Sequence, residues 1–159
     1  IIKKRLPNYK LTVTEGAIQT VGLLIDESYF VAQNDLIQEL VANGIPGKNI
    51  EILIYKDRIK KKETFEYPYF SRKNIAMNGE FLKPEVAGFV NKPFDMLISY
   101  YDVEKAPLLL LTLQSKAKFK VGFSTIDKRL NNFMITTVAE KYQEFVSELF
   151  KYLKILNKI

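Results

Sequence analysis

Thr20-Val21-Gly22-Leu23-Leu24-Ile25-Asp26 is the stretch on which the fold turns. It is a continuous apolar run closed by an acid, without the polar alternation of a half-exposed strand. A strand buried on both faces reads this way, and such strands belong to parallel sheets covered by helices on both sides. The period then changes. Over residues 29–43, Phe30, Leu36, Ile37, Leu40 and Val41 fall on one helical stripe. Ser28 is placed to cap that helix, and Gly44 followed by Pro46 to stop it. Ile50-Glu51-Ile52-Leu53-Ile54-Tyr55 returns to strand. Strand, helix and strand with short connections form a βαβ unit, whose crossover is right-handed.

Upstream, residues 13–18 read as a short edge strand. Residues 1–12 form a basic arm with Lys3, Lys4, Arg5 and Lys10, broken by Pro7. The remaining chain, residues 13–159, is expected to be one domain. Downstream, residues 56–73 read as a long exposed loop, and 75–77 as a short strand. Residues 84–90 form a helix with Pro84 in its first turn. A central strand covers 94–100, a helix 104–114, and a strand 116–123. In that last strand Lys116, Lys118 and Lys120 share one face, which predicts a sheet edge or a solvated face. A short strand at 133–135 and an amphipathic helix at 138–156 close the chain. The helix carries Val138, Tyr142, Phe145, Val146, Leu149, Leu153 and Leu156 on one stripe. The sum is a doubly wound α/β fold, mostly parallel, with helices on both faces: a Rossmann-like three-layer sandwich.

Composition narrows the chemistry. The 159 residues are 47% apolar, enough to build a core. There is no cysteine and no histidine. Disulfides, thiolate metal sites and cysteine nucleophiles are excluded, as are the commonest general base and zinc ligand. The formal net charge of +6 suits acidic partners as well as plain solubility. No apolar run approaches the roughly 20 residues of a membrane helix, so no transmembrane segment is expected. The chain begins at Ile1, which leaves an upstream segment open.

In an open parallel sheet ligands bind beyond the carboxyl ends of the strands. The candidate crevice there comprises Asp26, Glu27, Ser28, Tyr100, Tyr101, Asp102, Ser124 and Asp127. Its carboxylates suit Mg²⁺ binding or acid–base work, and equally suit helix capping. The turn after the first strand has no glycine, so dinucleotide and phosphate-loop fingerprints are absent. No Gly-x-Ser-x-Gly elbow occurs either. No cofactor is expected. A second candidate surface is basic and aromatic: Lys56, Arg58, Lys60, Lys61 and Lys62, then Phe65, Tyr67 and Tyr69. Lysines there would neutralise phosphates, and aromatics would stack on bases.

Phe94-Asp95-Met96-Leu97-Ile98-Ser99, the leucine-rich helix, and Ala117-Lys118-Phe119-Lys120-Val121-Gly122-Phe123 carry a resemblance. This order resembles the N-terminal half of heptosyltransferase-type glycosyltransferases, with a Phe-Asp-hydrophobic strand, a helix and a hydrophobic-Gly-Phe strand. Residues 20–55 are similar to the first βαβ unit of that half. The family's second, sugar-nucleotide-binding domain and its glycine turn after the first strand are missing. The resemblance therefore implies a lone acceptor-side half. As a whole, the chain is similar to a family of small bacterial proteins of the Bacteroidetes, a domain of unknown function. That similarity implies a cytoplasmic protein.

Three functions stay open on this reading. The leading one is a non-catalytic protein-binding or scaffold module, presenting Tyr100, Tyr101 and the aromatics of 65–70 to a protein partner. The second is an RNA- or ribosome-associated protein that binds nucleic acid through the basic loop. The third is a ligand-binding domain or enzyme using Asp26, Asp102 and Asp127.

Overall fold

The computed structural model describes residues 16–28 and 30–159. The basic arm and residues 13–15 of the proposed edge strand lie outside them, and residues 16–20 form no strand. Among the described residues one sheet has six strands: β1 (Val21–Asp26), β2 (Ile50–Tyr55), β3 (Tyr69–Phe70), β4 (Met96–Tyr100), β5 (Lys120–Phe123) and β6 (Phe133–Ile135). Their order is β3-β2-β1-β4-β5-β6. Every pairing is parallel. This is the strand order of the doubly wound nucleotide-binding fold, with its winding reversed between β1 and β4. All six residues of β1 are buried, as expected for the innermost strand of a covered sheet.

Among the described residues four α-helices cover the sheet: α1 (Gln33–Ala42), α2 (Pro84–Asn91), α3 (Ala106–Gln114) and α4 (Tyr142–Ile155). α1 packs beside α4, and α2 beside α3. Adjacent residues of β4 show that the two pairs lie on opposite faces. Ser99 Oγ meets Thr112 of α3 at 3.3 Å, while the Tyr100 ring meets Phe145 of α4 at 4.9 Å between centroids. None of these helices is long and apolar enough to cross a membrane.

Four local expectations are corrected. The first helix begins at Gln33, and Ser28 does not cap it. Its hydroxyl instead accepts the Asp57 N–H at 3.0 Å, tying the end of β1 to the end of β2. The loop 56–73 contains β3, whose two residues pair with Ile54 and Tyr55. Residues 75–77 form only a single bridge, Ile75 to Phe81. The lysine-bearing strand starts at Lys120 and lies between β4 and β6, so it is no edge. Lys116 and Lys118 are exposed, but Lys120 is 3% exposed, beneath α3.

Gly22 shows how closely α2 and its flanks approach β1. A Cβ there would lie 2.7 and 2.8 Å from Phe94 ring carbons and 3.1 Å from Phe89. Gly22→Ala is expected to cost about 1–3 kcal/mol by overpacking. Thermal denaturation checks this; an unchanged midpoint would mean the ring yields freely. At Gly122 the space belongs to the buried Asn131 amide, which would stand 2.6 Å from any Cβ added there.

Candidate functional site

The switch point between β1 and β4 is where this fold class normally opens a crevice. Here an ion network fills it. Asp26 closes β1 and is 5% exposed. Lys105, from the segment joining β4 to α3, places its ammonium 2.7 Å from Asp26 Oδ2 and 2.9 Å from Asp57 Oδ2. Asp26 Oδ1 also accepts the Ser28 N–H at 3.0 Å. Burial of the Lys105 ammonium is outweighed by its bonds to Asp26 and Asp57, which hold its pKa above the ordinary value. Burial raises the Glu27 carboxyl, although Lys56 pulls it back. Glu27 accepts a bond from Gln33 at 3.1 Å, and Lys56 pairs with Glu63.

The other strand-end acids have separate engagements. Asp102 Oδ2 accepts the Ala139 N–H at 2.9 Å. Asp127 pairs with Arg129 at 2.7 Å, and its own N–H donates to Glu104 at 2.8 Å. Asp127's bond to Arg129 holds its carboxyl below the usual range. Ser124 is exposed, its N–H bonded to the Ile135 carbonyl. Among the described residues no three carboxylates gather as a metal cluster.

Tyr100 and Tyr101 are not surface aromatics. They are 1% and 2% exposed and point to opposite faces of the sheet. The Tyr101 hydroxyl bonds Thr112 Oγ1 at 2.7 Å under α3, and burial raises its pKa. Of the loop aromatics, Phe70 is fully buried, while Phe65, Tyr67 and Tyr69 are partly buried against the core. Phe65 stacks on Tyr69 at 4.1 Å, and the Tyr67 hydroxyl donates to Asn34 at 2.9 Å. Arg58, Lys60, Lys61 and Lys62 remain exposed. Because Tyr55 lies beside Phe70 in the sheet, the segments leaving β2 and β3 emerge together. Exposed Arg72 and Lys73 thereby join the basic loop. None of these six cations makes an ion pair among the described residues.

Lys120 extends the polar set under α3, its ammonium donating to the Thr112 carbonyl at 2.7 Å. A lysine on the last carbonyls of a helix suits the helix dipole. Burial, aided by repulsion from Lys116, pushes its pKa down to about 8, from 10.5. Between those values the unfolded chain binds the extra proton, so stability rises with pH from about 8 to about 10. The rise is at most about 3 kcal/mol. Beyond about pH 10 the slope reverses, because tyrosines ionise in the unfolded chain while Tyr100 and Tyr101 stay neutral in the fold. Urea midpoints across this range check the rise, which Lys120→Met is expected to abolish. An equal rise in Lys120→Met would assign it to another group.

An open concavity lies elsewhere. A groove of about 730 Å³ runs beside α3, walled by segments that follow β3, β4 and β5. Ile75, Ala76, Leu109, Leu110 and Leu130 give it an apolar lining, and Arg72, Glu104, Asp127 and Arg129 bring charge to it. Met77 lines it as well and is 98% exposed. Of the residues singled out from sequence, only Asp127 lines this groove. Lys105 escaped a reading that looked for acids at strand ends, although it is the one cation between β4 and α3. The groove's leucines read only as helix core.

Comparison with curated proteins and with solved structures finds no match. The model of a family of unknown function, DUF6913, matches residues 1–156, and the chain belongs to that family.

Proposed function

We propose that this domain is a non-catalytic binding module whose binding surface is the groove beside α3. The observation that carries this is an open groove of about 730 Å³ at the carboxyl side of a parallel sheet. Its size falls within the range of about 300–1,000 Å³ usual for ligand pockets. The strand-end acids support the non-catalytic part, since each is already bonded to a neighbour. Work in a bacterial cytoplasm, as the family resemblance implies, fits this reading. The partner surface expected at Tyr100 and Tyr101 gives way to the groove, because those rings lie in the core.

Titration of the full chain with a panel of uncharged fragments, followed by amide and methyl NMR, tests the proposal. Shifts are expected to converge on Ile75, Leu109, Leu110 and Leu130. Convergence on Asp26, Asp57 and Lys105 instead would return the site to the switch point and favour a catalytic reading.

The six unpaired cations favour a second reading, nucleic-acid binding at the corner of β2 and β3. Binding to single-stranded RNA would then weaken steeply with salt. Affinity flat with salt would sink it.

A further inference from the structure

We propose that the groove beside α3 takes a small amphipathic carboxylate, its apolar body along α3 and its carboxylate on Arg72. This rests on the groove being the binding surface and adds the chemistry of its occupant.

The placement of the charges lining the groove decides the sign. Asp127 and Arg129 neutralise each other through bonds of 2.7 and 3.0 Å. Glu104 is turned to the Asp127 N–H at 2.8 Å, which engages its carboxylate without cancelling the charge, so the lining is neutral in sum and the placement of Arg72 decides where an anion can sit. Arg72 is exposed and makes no ion pair among the described residues. It comes from the segment just after β3, with Lys73 next in sequence and the basic loop at the neighbouring strand end. α3 also begins at the groove, with Ala106 and Pro107 in its lining, so the positive end of the helix dipole adds to the same field. A guanidinium fork matches a carboxylate with two parallel hydrogen bonds.

The apolar lining decides the rest. A nucleic acid would use the cations and leave Leu109, Leu110 and Leu130 unused. The rings it would stack on, Phe65 and Tyr69, are stacked on each other. A neutral apolar molecule would fill the groove and leave Arg72 unanswered. An amphipathic carboxylate uses both features. Met77, on an unbranched and adaptable side chain, is placed to fold over the bound body.

The test compares decanoate with decanol, both below their aggregation limits, titrated into the full chain and followed by NMR. Saturable decanoate binding is expected, with shifts at Ile75, Leu109, Leu110 and Leu130. Decanoate should bind at least ~10-fold tighter than decanol, the preference conferred by one charge-assisted pair. Arg72→Gln, a surface change, is expected to erase that preference, and Met77→Asp to weaken both probes. Equal binding of the two probes by the natural chain would overturn the carboxylate while leaving the groove standing. So would a preference that survives Arg72→Gln. Absence of groove shifts with either probe would overturn the groove itself.

Discussion

Alanine at Tyr100 is expected to cost about 3–5 kcal/mol, as truncation of a buried aromatic does. That is a large part of the roughly 5–15 kcal/mol that stabilises a domain. The ring is 1% exposed. Its centroid lies 5.0 Å from those of Phe30 and Phe123 and 4.9 Å from that of Phe145. Its hydroxyl donates to the Ala139 carbonyl at 2.5 Å. Truncation would open a cavity where β4, β5 and α4 meet, and leave that carbonyl without its donor. Tyr100→Phe keeps the ring and removes only the bond, at a cost of about 1–2 kcal/mol. Urea denaturation of both variants separates packing from hydrogen bonding. A Tyr100→Ala protein as stable as the natural one would place the ring outside the core.

Alanine at Lys105 has an expected cost of similar size, about 3–5 kcal/mol, for a different reason. Asp26 would be left charged and 5% exposed, without its cation. The double change Asp26→Asn with Lys105→Met removes both charges and is expected to recover most of the loss. If the double variant is no better than Lys105→Ala, shape rather than charge holds this corner. The pH window follows from the same geometry. The Lys105 pKa is raised, so its contribution is whole below its unfolded value of 10.5 and is lost as pH climbs through the higher folded value. Although burial of Asp57 works the other way, its bond to Lys105 lowers that carboxyl. Its contribution is whole above 3.8 and is lost as pH falls through the lower folded value. The network therefore stabilises the fold from about pH 4 to about pH 10.

The layered architecture was legible because long apolar runs and helical stripes record burial directly. β2 and β6 were read to the residue, β1, β4 and two of the helices to within two residues, and the other two helices start four residues later than read. What went astray depended on neighbours distant in sequence. Lys120 reads as a surface residue until α3 lies over it. Tyr69 and Phe70 read as loop aromatics until β2 offers them an edge. Tyr100 and Tyr101 follow a buried strand and look ready to emerge, yet Thr112 and Ala139 come round to take their hydroxyls. The candidate site was legible only in its general position at the carboxyl end of the sheet. A groove is made by the spacing of three loops, and no local pattern in the chain encodes that spacing.

The pairing of β1 with β4 sets an order of events during synthesis. Val21 lies beside Met96, 75 positions further along the chain, by the sheet register. When β1, α1 and β2 have left the ribosome, one side of β1, all of whose residues are buried in the finished fold, still has no neighbour. It stays so until β4 emerges, several seconds later at ~5–20 residues per second. An uncovered apolar strand edge is a template for pairing with other chains. Over that interval the open edge of β1 is the part of the nascent protein most exposed to pairing with the wrong strand.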